Sequence, residues 1–145
     1  MEPRMDFYKA SPGALQAMLG LEKQIDKSGI EKPLAELVRL RASQINGCAY
    51  CADMHATDAR KGGETDRRLD TLVAWRETPF FTDRERAALA WTESLTLVAE
   101  THVPDEVWNI VRPHFSDQEL ADLTLLIVAI NGWNRFAVGL RKMPG

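Results

Sequence analysis

The chain has 145 residues, a formal charge of -3 and a composition 45% hydrophobic and 27% charged, enough for one domain with a sizeable core and short for two. No basic excess marks a nucleic-acid binder. The most apolar run, Leu123 to Ile130, is too short to span a bilayer, and no secretory apolar segment follows Met1, so a cytoplasmic protein is expected.

Residues 1–10 show no clear period and read as an extended N-terminal arm. Ser11-Pro12 opens the first helix, with a capping serine and proline at the first helical position. Ala14, Met18, Leu21 and Ile25 recur on one face, and Ser28-Gly29 ends it. Pro33 opens the second helix, striped by Leu34, Leu37, Val38, Arg41 and Ile45 and closed at Asn46-Gly47. An arginine on that stripe must snorkel or find a partner. A third helix runs from about Cys48 to Lys61 and stops at Gly62-Gly63.

Thr65 caps a fourth helix that ends before Pro79. Thr82-Asp83-Arg84-Glu85 is a capping box for a fifth, carrying Ala88, Trp91, Leu95 and Val98. Pro104 starts a short sixth helix. Ser116-Asp117-Gln118-Glu119 is a second capping box, and the helix after it is apolar nearly all round from Leu120 to Ile130. Such a helix belongs in the middle of a bundle or in a subunit interface. No stretch alternates with period two for long enough to read as a strand. The expectation is one all-α domain over 1–145, a bundle of about seven helices.

Both cysteines lie in Cys48-Ala49-Tyr50-Cys51-Ala52-Asp53-Met54-His55. On a helix Cys48, Cys51 and His55 fall within an arc of about 60°. Two thiols one turn apart, with an imidazole one turn beyond the second, suit a dithiol/disulfide redox site. A structural zinc site would need four ligands, and this stretch supplies three. No metal and no cofactor is therefore expected. The helix dipole favours Cys48 as the more acidic thiol. The nearness of a base favours Cys51, because His55 lies one turn away. Glu36 sits nearly opposite the apolar stripe of its own helix, where a solvated glutamate would sit. Tyr50 reads as an aromatic at the rim of the site. Asn131, Asn134 and Arg135 read as a polar network inside the last helix.

Glu36, eleven residues, then Cys48-x-x-Cys51-x-x-x-His55 resembles the alkylhydroperoxidase D-like proteins of the carboxymuconolactone decarboxylase superfamily. Thr82 to Ala90 and Asn131-Gly132-Trp133-Asn134-Arg135 extend the resemblance over most of the chain. The resemblance implies an all-helical fold, a homo-oligomer (a hexamer is favoured), and a peroxidase acting on hydroperoxides. It implies Cys51 as the attacking sulfur, Cys48 as its resolving partner, and a proton relay through His55 and Glu36. The partner that restores the thiols would be a dithiol or a lipoyl-bearing protein. Characterised members often carry histidine where this chain has Tyr50. Two rival readings are a redox-sensing or binding subunit without turnover and a lactone decarboxylase-like enzyme. The cysteine pair argues against the latter.

Overall fold

The computed structural model describes all residues from Met1 to Gly145. It is all helical, as the periodicity predicts. The elements are α1 (Phe7–Ala10), α2 (Pro12–Asp26), α3 (Lys32–Asn46), α4 (Ala49–Lys61), α5 (Asp66–Thr71), α6 (Asp83–Thr96), α7 (Val98–Thr101), α8 (Asp105–Val111) and α9 (Asp117–Leu140). Short 3-10 segments follow α5 (Leu72–Glu77) and α8 (Arg112–His114).

The excess over seven helices comes from two four-residue pieces. One is α1, where an extended arm was expected. Asp6 caps it by accepting from the Tyr8 N–H, and Phe7 is buried. Phe7 stacks on Phe136 at 4.7 Å between ring centroids, so the packing of one aromatic sets this segment. The other is α7, split from α6 at Leu97. The expected fourth helix is also broken, because Ala74 leaves helical dihedrals.

The start signals act as predicted. Ser11 accepts from Ala14 N–H, and Thr82 with Glu85 and Ser116 with Glu119 form full capping boxes. Satisfying these otherwise orphaned amides fixes where each helix begins.

Helix α3 is the packing hub, in contact with α4, α6 and α9. Its buried residues, among them Leu34, Leu37, Val38, Leu40 and Ala42, therefore spread beyond one stripe. Arg41 finds a partner, donating to Glu93 at 3.0 Å and to Gln44. At 24 residues α9 is long and apolar enough to cross a bilayer by length and composition, more than the run Leu123–Ile130 suggested. Here its inner face packs in the bundle, with Leu123, Leu126, Ile127 and Ile130 buried. Gly132 matters for that contact: a Cβ there would stand 2.9 Å from the Met18 methyl of α2.

Candidate functional site

The junction of α3 and α4 builds the thiol pair. Gly47 ends α3 in the left-handed conformation, with φ of 65°, a geometry glycine adopts without strain. The Cys48 N–H then bonds back to Ser43 O at 2.9 Å, closing α3. Cys48 itself is the N-cap of α4, and its Sγ accepts from the Cys51 N–H at 3.3 Å. Cys48 is thus just outside the helix, not in its first turn. Both thiols are free, at 2% and 1% exposure.

The two sulfurs differ sharply. A hydrogen bond from the Cys51 thiol lowers the Cys48 pKa to about 7 against the cost of burial. The Cys51 backbone amide and Asn134 add to that effect. Cys51 is pushed up, first by that same bond to Cys48 and then by burial. Of the pair, Cys48 is therefore the one that ionises first. The thiolate fraction of Cys48 should therefore rise as pH passes upward through about 7. Thiolate absorbance in the far ultraviolet is expected to titrate there. Cys51→Ala removes the main donor and should move the midpoint up towards an ordinary thiol. An unmoved midpoint would assign the effect to the helix end alone.

Asn134 is a site residue whose role the sequence hid. It is 1% exposed. Its amide donates to Ser43 Oγ at 3.0 Å and its carbonyl accepts from Asn46 at 2.9 Å. Asn46 also donates to Asn131, which donates to Thr96. The polar network read from the sequence is present, and its Asn134 end reaches the sulfurs.

Glu36 corrects a second expectation. Its carboxylate is largely enclosed between α3 and α4, because α4 covers the face that the stripe left open. Glu36 Oε2 lies 2.9 Å from His55 Nδ1, and Oε1 accepts from Arg39 at 2.8 Å. Burial pushes the Glu36 carboxyl up, but the hydrogen bonds and charges of His55 and Arg39 outweigh it and hold it below the usual range. Arg39 also donates to Glu22, which accepts from the Trp133 indole at 2.9 Å. Arg39 was missed, although its i, i+3 spacing from Glu36 is the signal that could have found it. His55 is 8% exposed, and no protein group engages its Nε2.

These groups meet in a cavity of about 370 Å³. Cys51, His55, Glu36 and Arg39 supply its reactive wall, and Phe7, Leu15, Leu19, Met54 and Trp133 its apolar wall. Tyr50 lines it too. Cys48 lies behind Cys51 and does not line it. Glu36, His55 and Asp58 each bring one possible metal-ligand atom, all within 4.8 Å of one another. Arg39 already neutralises Glu36, which disfavours a cation at that point.

Residues 12–94 match the carboxymuconolactone decarboxylase family. The chain is 41% identical to the uncharacterised protein YdfG of Bacillus subtilis, over 97% of this chain and 95% of that one. It is 39% identical over 49 residues to the alkyl hydroperoxide reductase AhpD of Hyphomonas neptunium, 34% of this chain and 27% of that one. A crystal structure from Agrobacterium tumefaciens, of a protein of unknown function offered as an antioxidant-defence AhpD, superposes with a TM-score of 0.97. That chain is 43% identical, with 99% of each chain covered. The bundle is thus alkylhydroperoxidase D-like, and the chain belongs to the carboxymuconolactone decarboxylase family.

Proposed function

We propose that the protein is a cytoplasmic thiol peroxidase that reduces hydroperoxides through Cys51 and Cys48. The observation that carries this reading is the meeting, in one cavity, of a thiol backed by a second thiol and a histidine held by a carboxylate. Cys51 Sγ takes the distal oxygen of the hydroperoxide, and the O–O bond breaks. Its thiol proton passes through His55 Nε2 to the departing alkoxide in the same step, so two neighbouring thiolates never coexist. Products are an alcohol and a sulfenic acid on Cys51. Cys48 thiolate then attacks that sulfur and expels hydroxide, which takes a proton to become water. A dithiol or lipoyl-bearing protein reduces the resulting disulfide.

Catalytic consumption of a hydroperoxide, followed with dithiothreitol and with dihydrolipoamide as reductants, tests this. Many turnovers per chain are expected with at least one of the two. A single stoichiometric oxidation would leave the redox-sensor reading instead.

The proposal includes a homo-oligomer, with a hexamer favoured. On α9 the outward Val128 and Val138 are 55% and 48% exposed, and Val98, Trp108 and Ile110 are also open. That much apolar surface on one small chain is costly in water. Light scattering should give a multiple of the 16.3 kDa chain mass. A mass near the single chain would refute the assembly.

A further inference from the structure

The cavity has two chemically different ends. A neighbouring depression shares Asp26, Glu36, Arg39 and Asp58 with it, which places Asp26, Asp58 and the Glu36–Arg39 pair together at one end. A second depression shares only Phe7 and Lys142, which places those two at the other. Tyr8 and Tyr50 stand with Lys142. Its Nζ lies 4.3 Å from the Tyr8 ring centroid and 5.0 Å from that of Tyr50.

Lys142 is half-buried, yet it takes part in none of the ion pairs of the chain. Asp6, which lines the depression beyond it, makes no ion pair with it: it accepts from the Tyr8 N–H and lies 4.0 Å from Lys9. Aromatic faces attract the ammonium but accept few of its protons, so its N–H donors remain available. The backbone that carries the lysine is also held in place. Its own N–H bonds to Ala137 O at 2.9 Å. The segment before it is tied to the N-terminal segment by Arg4, which donates from its backbone to Leu140 O at 3.0 Å and from Nη1 to Gly139 O at 2.9 Å. An unpaired cation on an anchored backbone, at one end of a cavity with an apolar wall, is suited to recognising an anion.

We propose that this cavity binds aliphatic carboxylates, with Lys142 holding the carboxylate and the Phe7, Leu15, Leu19 and Met54 wall taking the chain. At the far end Asp26 and Asp58, beside the paired Glu36 and Arg39, repel a carboxylate, which sets the orientation. The chain then lies along Cys51. Under the peroxidase reading, on which this consequence alone rests, fatty-acid hydroperoxides are preferred to their neutral esters.

The site is tested without turnover. Octanoate and its neutral isostere octanamide are titrated into the reduced protein by calorimetry near pH 7.5. The wild type should bind octanoate about tenfold more tightly than octanamide, as expected of one charge-assisted contact. In Lys142→Gln, with helicity checked by circular dichroism, that ratio should fall towards one. Equal affinities in the wild type, or a ratio unchanged in Lys142→Gln, would overturn the site. A second arm compares linoleic acid hydroperoxide with its methyl ester in steady-state turnover. Lys142-dependent octanoate binding with no turnover of either peroxide would sink the peroxidase reading and keep the site. Turnover with no acid preference in either arm would do the reverse.

Discussion

Cys51→Ser is expected to abolish peroxide turnover, and Cys48→Ser to stop after one equivalent with a sulfenic acid on Cys51. Two physical arguments pull in opposite directions here. Cys48 is the better thiolate, lowered to about 7, whereas Cys51 is pushed up. Acidity alone would make Cys48 the attacker. Access decides the other way: both sulfurs are buried, but Cys51 lines the cavity and Cys48 does not. A sulfur that the peroxide cannot reach gains nothing from being ionised. The proton held by Cys51 is not an obstacle if it leaves with the chemistry, since the departing alkoxide is a far stronger base than a thiolate. The low pKa of Cys48 then acts in the second step, where a ready thiolate must attack the sulfenic acid. The Cys51→Ser hydroxyl can still donate to Cys48, so Cys48 remains ionised in that variant and the experiment isolates access. Mass spectrometry after dimedone labelling reads both variants. A dimedone adduct on Cys48 in the Cys51→Ser protein, formed as fast as the wild type reacts, would reverse the roles.

Local rules made the helices legible. Ser11, Thr82 with Glu85 and Ser116 with Glu119 satisfy backbone amides within four residues, so their signal survives in one dimension. The turn at Gly47 and the stop at Gly62 are equally local. The α1 helix was not legible because four residues carry no period, and its stability comes from Phe7 against Phe136 and Trp133 over a hundred residues away. Glu36 misled for a related reason. Its helix wheel places it off the apolar stripe, but α3 is covered by α4, α6, α9 and the 3-10 segment Leu72–Glu77, and a wheel cannot count them. Asn134 and Lys142 reach the site from the far end of the chain, where sequence spacing says nothing of distance. Only the motif resemblance, not the periodicity, pointed from Glu36 to His55.

His55→Ala is expected to slow peroxide reduction by about 10²–10⁴-fold without unfolding the protein, the usual range for removing a general acid–base group. Its Nδ1 is taken by Glu36 at 2.9 Å, which fixes the ring and leaves Nε2 for the proton in transit. When that proton arrives, the ring becomes a cation, and the Glu36 carboxylate is already ionised to receive it. Arg39 holds Glu36 in place from the other side at 2.8 Å. Glu36→Gln keeps an acceptor for the Nδ1 proton but removes the charge. It should therefore orient His55 while stabilising the imidazolium less, and its loss should fall between the wild type and His55→Ala. The order wild type, Glu36→Gln, His55→Ala in kcat/KM distinguishes a relay from a structural pair. A merely structural histidine would give a folded, fully active His55→Ala variant, or would lower stability in the same order while leaving the rate per folded chain unchanged. Thermal melts beside the kinetics separate the two, because a relay moves the rate at constant melting temperature.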